Sequence, residues 1–261
     1  MRLAIASTAD LRSTAARGFS LVELAVVLAI VALLVGGAMA TLSSQVEQRN
    51  QEETRRRLDA ALDALMGYAI VHGRLPCPAT AAAAAGDESP AGGGTCTTNF
   101  NGFLPARTIG LQQTDTQGYA LDAWNNRIRY AVASAITGCT GTSTLPHFTS
   151  QVNLKNNGVS CLPNDLVVCG SSVGVGASSC NAAPSVTSPN TVAFIVFSTG
   201  KNGAITSAYG ADEAANLNGD AVFVSRAPSG ADATAGSYDD VVLWVPVGVL
   251  YGRMITAGVL P

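Results

Sequence analysis

The hydrophobic pattern changes period along the chain. From Phe19 to Leu42 nearly every position is apolar, a run of 24 residues. As a helix it is long enough to cross a hydrocarbon core about 30 Å thick. From Ser43 to about Val71 apolar residues recur at helical spacing instead. Leu58, Leu62, Leu65, Met66, Ala69 and Ile70 form one stripe at i, i+4, i+7 and i+8, which predicts a helix docked by that face on the domain behind it. No proline occurs between Met1 and Leu75, so the two stretches read as one continuous helix. It stops at Gly73-Arg74-Leu75-Pro76-Cys77-Pro78, a glycine followed by two prolines. Gly36-Gly37 interrupts the apolar half at about 1 kcal/mol per glycine relative to alanine, either for close helix packing or as a soft point.

Beyond the stop the period shortens. Residues 79–95 are rich in Ala and Gly and read as a loop. Asn125-Asn126 marks a turn into a strand on which Ile128, Tyr130 and Val132 alternate. Further strands are predicted at 166–169, at 191–200 (apolar enough to be central), at 221–226 and at 239–246. The tail from Leu250 to Pro261 reads as a short helix or strand. A long helix followed by antiparallel strands defines an α+β class. The expected organisation is a leader at 1–18, a membrane and assembly helix at 19–42, its amphipathic continuation at 43–75, and a globular α+β domain at 76–261.

Charge and cysteine usage narrow the picture. Net charge is −3 and only 13% of residues are charged, so no global basic field points to a nucleic-acid partner. The one dense basic stretch, Arg55-Arg56-Arg57, reads as a solvated helix face with Glu52–Arg56 and Glu53–Arg57 as i,i+4 pairs. Six cysteines, Cys77, Cys96, Cys139, Cys161, Cys169 and Cys180, all follow the apolar run, and none forms a CxxC pair. With only His72 and His147 available as histidine ligands, disulfides in an exported domain explain them better than zinc. Nearest-neighbour pairing is the simplest of the 15 possible connectivities.

One residue does not belong in the apolar run. Glu23 would cost about 2.5–3.5 kcal/mol at mid-membrane. The thirteen Leu, Val, Ile and Phe residues of the run return about 0.3–0.6 kcal/mol each, so insertion stays feasible while the acid still needs a partner. Arg2, Arg12 and Arg17 before the run favour a cytoplasmic N-terminus. An ordinary export signal does not carry such a glutamate, although Ala38-Met39-Ala40 has the small-residue form of a signal cleavage site.

Arg17-Gly18-Phe19-Ser20-Leu21-Val22-Glu23-Leu24 resembles the prepilin cleavage motif of type IV pilins and type II secretion pseudopilins. The resemblance implies cleavage between Gly18 and Phe19 by a membrane-embedded prepilin peptidase, and N-methylation of the new Phe19 amine. It implies that Glu23 pairs with the amine of a neighbouring subunit, a register device instead of a catalyst. The new amine is cationic at neutral pH and lies about 6 Å from Glu23 along a helix axis. The implied partners are other pilin or pseudopilin subunits, the prepilin peptidase and an inner-membrane assembly platform. The implied location is the inner membrane with a single pass and a periplasmic domain, then a pseudopilus or cell-surface pilus. Many pilins have a proline near the position held here by Ala40.

Two further stretches resemble major pseudopilins. Asp122-Ala123-Trp124-Asn125-Asn126 is similar to their Asp-x-Trp-Gly-Asn, with Asn125 in place of the glycine. "FSTGKNG" at 197–203 and "YDDVVLW" at 238–244 resemble the end of their domain, where members bind calcium. The acids of the longer intervening segment here, Asp212, Glu213, Asp220 and Asp232, precede Asp239 and Asp240. A plain solvated acidic loop is the first reading of this stretch; if calcium binds, Asp239 and Asp240 are the expected ligands. A type II secretion pseudopilin is therefore the first reading, with a minor pilin for adhesion, motility or DNA uptake as the alternative. A membrane-anchored periplasmic enzyme is a remote third. Ser198-Thr199-Gly200-Lys201 matches S-x-x-K but lacks the companion motifs, and no catalytic residues are expected.

Overall fold

In the computed structural model residues 20–81, 86–139, 145–205 and 209–260 are described, with the side chains of 37–43 set aside. The chain divides into two compact units, Met1–Gln48 and Arg49–Pro261. A single helix, α1, spans Leu21–His72 without a break, as the absence of proline requires. It ends where Gly73 takes φ +66° and returns its N–H to the carbonyl of Ala69 at 2.9 Å. This left-handed termination is one that glycine adopts without penalty.

Among the described residues no helix is long and apolar enough to cross a membrane. Of the predicted 19–42 span, Phe19 and the side chains of 37–42 lie outside the description. The apolar side chains from Leu21 to Val35 are exposed, Leu21 at 86% and Leu33 at 78%.

In the larger unit the predicted stripe is the buried face of α1. Leu58, Leu65, Met66 and Ala69 are buried together with Ala61, while Leu62 packs half-buried against them. Their core is completed by a four-stranded antiparallel sheet of β1 (Gly102–Phe103), β2 (Arg129–Val132), β6 (Val192–Ser198) and β8 (Val241–Pro246), in the order β1-β2-β6-β8. Strand β6 is central and buried at every position, which explains its unbroken apolar run. The C-terminal tail resolves as a helix, α4 (Val247–Thr256), burying Val247, Leu250, Tyr251 and Met254 at i, i+3, i+4 and i+7.

Two small pairings lie outside the main sheet. β3 (Ile136–Thr137) pairs antiparallel with β4 (Leu162–Pro163). β5 (Val167–Cys169) pairs parallel with β7 (Val222–Val224), a departure from the all-antiparallel expectation. A parallel pair needs a long crossover, and β6 with the short helix α3 (Ala211–Ala215) supplies it. A seven-residue helix, α2 (Gln151–Asn157), begins at Ser150, whose hydroxyl caps the N–H of Asn153.

Three disulfides, Cys77–Cys96, Cys139–Cys161 and Cys169–Cys180, join nearest neighbours. They close loops of 19, 22 and 11 residues, and closing loops of this length stabilises by about 2–4 kcal/mol each. The expected Glu52–Arg56 pair is not formed: Arg56 and Arg57 both turn to Glu53, at 3.5 and 2.9 Å. Glu53 lies within reach of both, while Arg57 also donates to the carbonyls of Leu121 and Asp122.

Candidate functional site

Glu23 is the third residue of α1 and sits in a reciprocal cap with Ser20. The Glu23 N–H donates to Ser20 Oγ at 3.1 Å, and the Ser20 N–H and hydroxyl donate to Glu23 Oε2 at 3.1 and 3.3 Å. This is a capping box, which satisfies otherwise orphaned donors of the first turn. The carboxylate also lies at the positive end of the helix dipole. Gly18 and Phe19 lie outside the described residues. The box was readable as Ser20-x-x-Glu23, a second role for a residue singled out by its charge alone.

The second candidate is at the start of β8. Tyr238 anchors it: its hydroxyl donates to the carbonyl of Val224 at 2.6 Å. The next two residues, Asp239 and Asp240, meet Glu213 from α3, and one oxygen of each lies within 4.8 Å of the others. Glu213 is fully buried and ties loops together. Its Oε2 accepts from the N–H of Gly210 at 2.8 Å and the amide of Asn202 at 2.9 Å, and its Oε1 from the N–H of Asp239 at 2.8 Å. Gly200, at φ +62°, lies against Asp239: a Cβ there would fall 2.0 Å from Asp239 Oδ1. The turn of "FSTGKNG" is therefore folded onto the acids, and only glycine fits.

Asp240 is 6% exposed. Its Oδ2 accepts from Asn216 Nδ2 at 2.7 Å, but its buried Oδ1 has no donor, and neither does the buried amide oxygen of Asn202. Burial, reinforced by the charges of Glu213 and Asp239 against the Asn216 hydrogen bond, pushes the Asp240 carboxyl up to about 8. Three carboxyl groups brought together beside a buried amide oxygen form a set of hard oxygen ligands, the kind that a calcium ion takes.

The expected pair Asp239 and Asp240 is thus brought together, and Glu213 is the member that sequence reasoning did not select. Its signal was the spacing Gly210-x-x-Glu213, the cap of α3. The other acids of the segment go elsewhere. Asp212 pairs with Arg226 at 2.6 Å, and Asp220 closes a local turn with Asn218.

The remaining motifs have structural uses. Asp122 is fully buried. Its Oδ1 accepts from the N–H groups of Trp124 and Asn126 at 2.9 and 2.8 Å, and its Oδ2 from the hydroxyl of Ser198 at 2.6 Å. Asn125 takes φ +68°, a left-handed position that asparagine tolerates better than other residues with a side chain, which explains how it replaces a glycine. Ser198, the first residue of the S-x-x-K match, also accepts from the N–H of Gly200 at 3.1 Å.

The prokaryotic N-terminal methylation motif matches residues 13–39. It is the signature of type IV pilins and pseudopilins. The motif supports a type IV pilin-like or pseudopilin precursor, and an α+β domain follows the helix that carries it. No curated protein and no solved structure matches the chain.

Proposed function

We propose that the chain is a structural subunit of a type II secretion pseudopilus or type IV pilus. In this reading it enters the inner membrane through residues 19–42, is cut between Gly18 and Phe19, is methylated on Phe19, and polymerises through its N-terminal helix. The observation that carries the reading is Glu23: a carboxylate within an exposed apolar helix, inside the methylation motif. Before processing it has Ser20 as its hydrogen-bond partner. Cleavage creates a cationic amine one residue ahead of Ser20, and a neighbour's amine gives Glu23 a full counter-charge in place of neutral donors. An opposite full charge in apolar surroundings adds Coulomb attraction that neutral donors do not supply, so the exchange favours assembly in one axial register.

Mass spectrometry of the protein taken from cells should find a chain beginning at N-methylated Phe19. Glu23→Val should leave membrane insertion intact and abolish incorporation into filaments. Filament incorporation at the wild-type level in that variant would refute the register role.

The acidic site supports calcium binding by Glu213, Asp239 and Asp240, with Asn202 offering a neutral oxygen. The ion would supply fixed positive charge tying the start of β8 to α3 and the Gly200 turn. Calcium at 1 mM, taken as about 100 times the dissociation constant, should stabilise the domain by about 2.7 kcal/mol, and Asp240→Asn should remove that gain. A thermal melt unmoved by calcium in the unaltered chain would end this reading.

A further inference from the structure

Asp239 and Asp240, two of the three acids of the cluster, line a cavity of about 350 Å³ that residues of α1 also line. Gln51, Glu52 and Arg55 from α1 and Arg226 share this lining with the two acids. Glu52 and Arg55 are both exposed. Neither makes an ion pair among the described residues, because the neighbouring arginines on α1 both go to Glu53. An exposed carboxylate with no ion pair among the described residues thus lines the same cavity as Asp240, whose buried Oδ1 has no donor among them.

Bound through one oxygen each, the groups of the cluster leave a calcium shell short. Glu213, Asp239, Asp240 and the amide oxygen of Asn202 provide four ligand groups, and calcium takes six to eight oxygens. Glu213 is further limited, since its oxygens already accept from Asn202, Gly210 and Asp239. The cavity beside Asp239 and Asp240 is open to further ligands. Among the residues lining it, Glu52 is the one carboxylate outside the cluster.

We propose that Glu52 completes the cation site, directly or through one water, so that a bound cation fastens α1 to the start of β8. The proposal rests on the calcium reading above. Arg55, three residues further along the same wall, acts in the opposite sense: its charge opposes the incoming cation. The two side chains make α1 responsive to whether the site is filled, at the point where the larger compact unit begins.

The test uses the full chain in detergent micelles, titrated with calcium chloride by calorimetry, with amide hydrogen exchange read over residues 49–57. The unaltered chain should bind one calcium and gain protection in that segment. Glu52→Gln should bind about tenfold more weakly, as expected for loss of one ligand charge, and should lose the calcium-dependent protection. Arg55→Gln should bind about threefold more tightly, the opposite sign at a neighbouring exposed position. Both residues are exposed and unpaired, so both variants should fold, which circular dichroism checks. If Glu52→Gln binds calcium as the unaltered chain does and keeps the protection of 49–57, the proposal is overturned while the calcium reading stands. If the unaltered chain takes up no calcium, both fall.

Discussion

Arg74 and Glu88 are each about nine-tenths buried and compensate one another. The guanidinium donates two bonds to the carboxylate, at 2.8 and 2.7 Å, and the N–H groups of Cys77 and Gly92 donate two more, both at 3.1 Å. Burial alone would raise the Glu88 carboxyl, but the Arg74 bonds and the two N–H donors outweigh it and hold it below its ordinary value. The stability this contributes is present above the ordinary carboxylate pKa and is lost as pH falls through the lowered one. Glu88→Gln leaves a buried guanidinium without its counter-charge and should cost about 3 kcal/mol in urea denaturation; a cost below 1 kcal/mol would mean that water reaches Arg74. Asp240 is the contrasting case, an equally buried carboxyl with one oxygen lacking a donor. The difference between these two acids was not legible in the sequence. Both lie outside the regular elements, and only the fold decides which one meets an arginine. Asp239-Asp240 could be singled out because they lie in the stretch that resembles the end of the major pseudopilin domain, whereas Glu213 was one of several acids in the segment before it.

At the scale of elements, α4 is fixed by a buried polar chain. The Tyr251 hydroxyl donates to the carbonyl of Cys161, so its oxygen accepts from His147 Nε2–H at 2.9 Å, and His147 Nδ1 is buried with no partner. Burial brings the His147 imidazole down to about 4. Between that value and the ordinary 6.5 the unfolded chain binds a proton that the folded chain does not. Stability therefore falls as pH falls, by about 2 kcal/mol from pH 7 to pH 5. His147→Gln keeps a donor for Tyr251 and should remove that part of the pH dependence; a denaturation midpoint that still falls as steeply in the variant would show that His147 is not its source. On the outer face of the same helix a Cβ at Gly252 would meet no atom within 4 Å. Gly252→Ala should therefore stabilise the domain by about 1 kcal/mol, read as a raised melting temperature. Long elements were legible and short ones less so. The stripe of α1 and the apolar run of β6 repeat over enough residues to define a period. The three-residue strands β5 and β7 do not, and nothing local announces that they pair with each other in parallel across some fifty residues of chain. The tail could be read as helix or strand for the same reason, since its apolar positions cover only a few turns.

For the whole molecule, the division at Gln48 separates two kinds of hydrophobic surface. Every residue of the main core lies at Leu58 or beyond, and the three disulfides also fall within 77–180. From Leu21 to Val35 the large apolar side chains are between 47% and 86% exposed. A run of exposed side chains of this kind marks an interaction surface, and in the proposed reading the partners are lipid before assembly and other subunits after it. The two surfaces make separable contributions. A chain beginning at Arg49 keeps the core, the disulfides, the Arg74–Glu88 pair and the acidic cluster with its α1 wall, and loses only residues that no core cluster includes. It should be soluble without detergent, unfold in a single cooperative transition, and show the calcium response of the full chain. Loss of the cooperative transition would mean that residues before Arg49 contribute to the core. A cooperative domain that no longer responds to calcium would instead mean that Glu52, now three residues from a frayed helix start, needs the preceding turns of α1 to stay on the cavity wall. That second result would tie the cation site to the continuity of the assembly helix, because the same fifty-two-residue helix would then carry the apolar surface at one end and set the geometry of the acidic site further along.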